Sequence, residues 1–230
     1  TMAEDLDGLQ EQTGIPFVHI DAYLASMDDT YAMLSDLLAM PNEGQALADY
    51  CRNAYDTVKA IVDGVEKADA LYITGEEGLN VIARDSYHAE VVDMLCNNLA
   101  VVDEPSSKGT GNEVDMEQIL NWNPDVILFA PGSIYASVGS NENWQTVTAI
   151  KNGAYYEVPM GPYNWMGFPP SVQRLLGMTW MAKILYPTAA DYDLYTEVST
   201  YFQLFYHCEL TQAQYDALVG GSVPLNDQAA

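Results

Sequence analysis

Two short, almost unbroken apolar runs, Ala70-Leu71-Tyr72-Ile73-Thr74 and Asp125-Val126-Ile127-Leu128-Phe129-Ala130, leave few choices of fold. A strand that is apolar on both alternating faces is covered on both, which is the situation of a parallel sheet between two layers of helix. Further strand-like runs at 79–83, 100–102 and 155–158 alternate with helical patterns at about 87–97, 115–122 and 141–151. The alternation predicts an α/β domain with a mostly parallel sheet and flanking helices.

Upstream of this unit the pattern predicts a helix over 3–12, a stop at Thr13-Gly14, a buried strand over 15–21, and a helix over 28–40 closed by Pro41. A longer helix follows from Glu43 to Glu66, where Leu47, Tyr50, Cys51, Ala54, Val58, Ile61, Val62 and Val65 form one apolar stripe. At about 1.5 Å per residue it spans roughly 35 Å, long enough for a strut between two lobes as well as for a core helix. Helices at about 170–186, 191–206 and 211–219 close the chain, and the tail 220–230 is expected to fray.

With 33 acidic and 8 basic side chains in 230 residues, the net charge of −25 excludes nucleic acid as a partner, because phosphates are neutralised by clustered Lys and Arg. No run approaches the roughly 20 apolar residues of a membrane helix, and TMAEDLDGLQ has no signal-peptide pattern. Cys51, Cys96 and Cys208 have no metal-ligand spacing, and the first two fall on apolar helix faces as buried thiols. His19, within the run at 15–21, reads as a core histidine. The segment Thr74-Gly75-Glu76-Glu77-Gly78 puts two carboxylates where a phosphate loop would hold its phosphate, and Ser133 lies outside any nucleophile elbow. No catalytic residue, metal site or cofactor is predicted.

Basic residues are scarce here, and guanidinium groups come only from Arg52, Arg84 and Arg174. Arg84 follows the run at 79–83, where α/β sheets present ligands, with Tyr87 and His88 beside it. Arg174 ends the aromatic stretch Tyr163-Asn164-Trp165-Met166-Gly167-Phe168-Pro169-Pro170-Ser171-Val172-Gln173. Each arginine either grips an anionic ligand or pairs with a local acid, Arg84 with Asp85 or Glu77. Tyr163, Trp165 and Phe168 have no periodic stripe to bury them, so they line a cleft or plug the end of the sheet.

The run Asp115-Met116-Glu117-Gln118-Ile119-Leu120-Asn121-Trp122-Asn123-Pro124-Asp125-Val126-Ile127, the segment from Trp144 through Ala149-Ile150-Lys151-Asn152-Gly153-Ala154-Tyr155-Tyr156-Glu157-Val158-Pro159, and Trp180-Met181-Ala182-Lys183-Ile184-Leu185-Tyr186-Pro187 carry a resemblance. In order and spacing the chain resembles the substrate-binding proteins of ABC importers for iron complexes, haem and cobalamin. The resemblance implies two α/β lobes joined by one long helix, with the ligand in the cleft between them and no catalysis.

On that alignment residues 1–26 are a remnant of the first lobe, 27–66 the connecting helical segment, 67–219 the C-terminal lobe with its terminal helices, and 220–230 a tail. The rest of the first lobe is then absent, and the apolar surface left around residues 15–20 is expected to make the chain self-associate. The resemblance places Arg84, Tyr87, His88, Trp165 and Arg174 at the cleft and Glu117 at the permease-docking position. It implies an exported, extracytoplasmic lipoprotein that hands a ferric siderophore or haem-like complex to an ABC permease. Cobalamin and molybdate remain alternatives, and the rivals from other classes are an acidic α/β enzyme and a protein-binding module built on the 163–168 loop.

Overall fold

The computed structural model describes residues 2–222, with side chains from Glu4 onward. In chain order its elements are α1 (Met2–Thr13), a 3-10 turn (Leu24–Ser26), α2 (Met27–Leu38), α3 (Pro41–Asp63), β1 (Asp69–Thr74), β2 (Asn80–Val81), α4 (Glu90–Leu95), β3 (Asn97–Asn98), β4 (Asn112–Glu113), α5 (Met116–Trp122), β5 (Val126–Phe129), α6 (Tyr135–Val138), α7 (Thr148–Lys151), β6 (Tyr155–Glu157), α8 (Arg174–Leu185), α9 (Leu194–Tyr206) and α10 (Gln212–Val219). The sheet runs β4-β2-β1-β5-β6. β1, β5 and β6 are parallel, in register Leu71↔Ile127 and Ile127↔Tyr155, while β2 lies antiparallel to β1 and β4.

The two apolar runs do what their pattern requires. Ala70, Tyr72, Val126 and Leu128 point into a core shared with α3, α4, α8 and α9, while Leu71, Ile73, Ile127 and Phe129 point into a second core with Ile119, Val138, Trp144 and Ile150. α3 begins with Pro41, whose missing N–H costs nothing in a first turn, and buries Ala48, Cys51, Val58 and Val62 along one side. α8 is buried nearly all round, from Arg174 to Ala182. Asp115 and Asp193 cap α5 and α9 by accepting from the N–H groups of Gln118 and Thr196, and Thr211 with Gln214 forms a capping box on α10. Cys51 and Cys96 are buried thiols, and Cys208 is exposed.

Four local expectations are corrected. Residues 15–21 form no strand: they are unpaired, and Ile15, Phe17, Val18 and Ile20 are exposed, as is His19, whose imidazole faces Asp21 at 3.9 Å. The strand expected at 100–102 is displaced to β3, which pairs parallel with the start of β1. There the Asn98 amide donates to the Ile82 carbonyl and the Asp93 carboxylate, and its oxygen accepts from the Ala100 N–H, so a polar residue satisfies buried backbone and Val101 turns out to solvent. The helix expected over 141–151 survives only as α7, because Asn141 accepts the Asn143 N–H in a local turn. Residues 220–222 are docked, with the Trp180 indole donating to the Ser222 carbonyl at 3.2 Å and the Tyr135 hydroxyl to that of Gly221 at 2.6 Å. The remainder of the expected tail lies outside the described residues. Among the described residues no helix is long and apolar enough to cross a membrane.

Candidate functional site

Three loops meet beside the sheet. The first, 158–173, leaves β6 and is fixed from inside. Trp165 has no exposed surface, and its indole N–H donates to the Gly161 carbonyl at 3.1 Å. The Trp165 carbonyl lies against α8 at Gly177, where a Cβ would come within 2.3 Å of it, so any larger residue would push the loop off the helix. Asn164 donates to the Tyr72 hydroxyl at 3.1 Å and accepts from the Met166 N–H at 2.8 Å. Burial pushes the Tyr72 phenol up to about 12, opposed by that hydrogen bond, so Tyr72 stays neutral. With Asn164 and Trp165 turned in, Tyr163 and Phe168 are turned out, Phe168 to 57% exposure.

The second loop, 84–89, leads into α4 and carries Tyr87, 43% exposed, and His88, buried to 8%. His88 Nδ1 lies 3.0 Å from the Gly167 carbonyl oxygen and so joins the first loop to the second. The third loop, 103–111, is tied to β1 by the Thr74 hydroxyl donating to the Thr110 carbonyl at 2.7 Å. At Gly109 a Cβ would stand 2.2 Å from the Phe168 ring and 3.3 Å from His88 Cε1, so the backbone itself is the wall behind both rings.

The outcome is a continuous aromatic surface. Tyr23 meets Tyr87 edge-on at 5.9 Å, Tyr87 meets His88 at 6.1 Å, and His88 meets Phe168 at 6.3 Å between ring centroids. Beside it lies a hollow of about 570 Å³ lined by Tyr23, Tyr55, Ser86, Tyr87, Glu90 and Asp93. Burial raises both carboxyls above their usual range, against the pull of Arg174 on Glu90 and of the Asn98 amide on Asp93.

Both arginines expected at the cleft are engaged inside the lobe. Arg174 is 1% exposed; it pairs with the Glu90 carboxylate, donates to the Ala22 carbonyl, and donates through Nε to that of Ser171 at 3.3 Å. Glu90 in turn accepts the Leu24 N–H at 2.7 Å, so the pair clamps the segment entering the 3-10 turn, and the Tyr87 ring sits 5.5 Å over the guanidinium. Arg84 meets neither Asp85 nor Glu77: its Nε and Nη2 both donate to the Asn98 carbonyl, with Nε at 2.8 Å.

Of the five residues expected at the cleft, the structure brings Tyr87 and His88 together on the aromatic surface and holds Arg84, Trp165 and Arg174 in supporting positions. Phe168, which with Tyr163 and Trp165 is expected to line a cleft or plug the end of the sheet, completes that surface together with Tyr23, for which there is no such expectation. Phe168 had a signal, since Gly167 and Pro169 on either side allow no stripe to bury it; Tyr23 and Glu90 had none. Glu117 is exposed in the first turn of α5, near an acidic hollow lined by Glu76, Glu77, Glu113 and Asp115. Among the described residues no three His, Cys, Asp or Glu side chains are grouped to hold a metal ion.

The family model described as periplasmic binding protein matches residues 4–160. The chain belongs to that family. The molybdate-binding protein MolA of Haemophilus influenzae is 33% identical over 97 residues, a stretch that is 41% of this chain and 27% of that protein. Among solved structures, the ABC transporter solute binding protein of Sulfurospirillum deleyianum superposes with a TM-score of 0.86 at 26% identity, covering 94% of this chain and 68% of that one. A periplasmic solute binding protein of Veillonella parvula gives a TM-score of 0.76 at 26% identity, covering 95% of this chain and 68% of that one. Family and neighbours alike are solute-binding proteins rather than enzymes.

Proposed function

We propose that this chain is the cargo-binding component of an ABC importer, acting outside the cytoplasm, and that it receives an iron complex with flat or aromatic organic ligands on the Tyr87–His88–Phe168 surface. The observation that carries the reading is the surface itself: the exposed rings of Tyr87 and Phe168, joined through the buried His88 ring, on two loops tied by the His88–Gly167 contact. Large apolar rings held rigidly in water offer stacking to a ligand at little cost in side-chain ordering. In a two-lobed arrangement this surface is one wall of the cleft, and a first lobe supplies the other. With Arg84 and Arg174 both engaged internally, stacking and not guanidinium pairing provides the grip.

The similarity to MolA supports a second reading, a small oxyanion such as molybdate. Lys108, exposed and without a side-chain partner among the described residues, precedes Gly109 in the third loop and is proposed as the cation for it. Glu117 is proposed to dock on arginines of the permease, because its carboxylate is exposed on the surface of the lobe.

Tryptophan-fluorescence titration with a ferric catecholate complex, haemin, cobalamin and molybdate decides between the readings. An iron complex is expected to quench saturably, with Tyr87→Ala and Phe168→Ala each weakening it roughly three- to tenfold, the range of a lost aromatic contact. Saturation by molybdate alone, lost in Lys108→Ala, replaces the iron reading with the oxyanion one. Glu117→Arg is expected to leave the titration unchanged while lowering uptake in vesicles carrying the permease; unchanged uptake removes the docking role.

A further inference from the structure

We infer that the cavity between α3, α8 and α9 is a second binding site, for a short organic ammonium ion, with Glu197 as its counter-charge. The inference is independent of the cargo, because the cavity shares no residue with the aromatic surface or with the hollow beside it.

The cavity has a volume of about 260 Å³ and reaches Val58 and Thr179, both nearly sealed from solvent. That is several times the roughly 30 Å³ share of one water, and less than the pocket of a drug-sized ligand. α3 lines it with Tyr50 and Ala54 beside Val58, α9 with Glu197 and Thr200, and Tyr192 closes it from just ahead of α9.

Its hydroxyls have already used their protons. Thr179 donates to the Leu175 carbonyl at 2.9 Å, Thr200 to that of Thr196 at 2.8 Å, and Tyr192 to that of Thr179 at 2.6 Å. A hydroxyl has one proton and two lone pairs, so what these three have left for a ligand is lone pairs. No Lys, Arg or His lines the cavity. The ammonium of Lys183 lies 5.7 Å from the centre of the Tyr192 ring and is tied to the Ala190 carbonyl at 2.9 Å.

Against these acceptors stands an unbalanced charge. Burial raises four carboxyls above their usual range, and three of them have an answering group: Arg174 for Glu90, the Asn98 amide for Asp93 and the Gly132 N–H for Glu157. The fourth, Glu197, is raised by burial and then by the Asp193 carboxylate, and its own carboxylate has no ion pair or hydrogen bond among the described residues. The phenols of Tyr50 and Tyr192 are raised by burial and next by the Glu197 charge, so that charge acts on two walls of the same cavity.

An ammonium answers each feature. It brings three donors, no acceptor and the missing positive charge, while its carbon chain lies against Ala54, Val58 and the two tyrosines. A divalent metal ion does not, since it needs several hard ligands and no three His, Cys, Asp or Glu are grouped among the described residues.

The test titrates the chain at neutral pH with n-butylammonium chloride, read by amide shifts in nitrogen-15 NMR spectra. Saturable shifts are expected on α3 around 53–58 and on α9 around 197–200, with n-butanol, the uncharged isostere, binding about tenfold or more weakly. Glu197→Gln keeps the size and polarity of the side chain and is expected to weaken the amine about tenfold or more, while leaving the melting temperature without amine and the cargo titration unchanged. Absence of saturable shifts in the wild-type chain overturns the inference. So do equal binding of butanol, unchanged amine binding in Glu197→Gln, or the same shifts with potassium chloride alone. Amine binding in a chain that takes none of the proposed cargoes leaves this site standing and removes the cargo reading alone.

Discussion

Arg174→Ala is expected to lower the unfolding free energy by about 3–5 kcal/mol, the cost of breaking a buried ion pair from one side. The guanidinium is 1% exposed and serves the Glu90 carboxylate and the carbonyls of Ala22 and Ser171 at once. Truncation leaves a carboxylate with 24% of its side chain exposed and no cation, together with a carbonyl from the 22–24 segment that loses its donor. Urea unfolding should show the midpoint falling by about 1 M or more with little change in slope. Arg174→Lys should recover little of this, since one ammonium cannot span acceptors held by three separate segments. If Arg174 were instead a cleft residue waiting for an anion, its removal would leave stability within about 0.5 kcal/mol and act on cargo affinity alone.

This substitution bears on how a scarce residue is read. In a chain with 33 acids and 8 bases, scarcity makes a guanidinium conspicuous in the sequence. The same imbalance makes it the natural partner for a buried acid. The choice between the two fates depends on Glu90, 84 residues away, whose approach to Arg174 is created by the packing of α4 against α8 and leaves no mark in either local sequence.

The sheet was legible for the opposite reason. β1 and β5 are buried on both faces, so each carries its evidence in its own composition, and their order along the chain limits how they can pair. Residues 15–21 have similar composition and no strand, because a strand exists only when another backbone pairs with it. β3 was missed because Asn97 and Asn98 qualify by what their amides bond, not by hydrophobicity. The order and spacing of motifs along the chain were enough to indicate the family. The contacts within the site were not, since Tyr163, Trp165 and Phe168 share one loop and one chemistry and only their neighbours decide which turn inward.

Trp165→Ala tests that inward–outward division and carries a comparable cost, about 3–5 kcal/mol for emptying a fully buried indole site. The indole is enclosed in the core that includes Leu175, Leu176 and Trp180, and its N–H closes the 161–165 turn on Gly161. Its loss should therefore do more than destabilise. The loop that presents Phe168 is positioned by Trp165 and Asn164 from beneath and by His88 from the side, so removing the indole loosens two of the rings of the proposed cargo surface. Affinity for the iron complex is expected to fall in Trp165→Ala even though the side chain itself touches no ligand. Trp165→Phe should separate support from contact: it refills most of the volume without the N–H, and it should restore most of the stability and the affinity together. Recovery of stability with no recovery of affinity would place Trp165 in the cleft after all. Joint recovery would mean that the exposed rings are effective because a buried one fixes where they point.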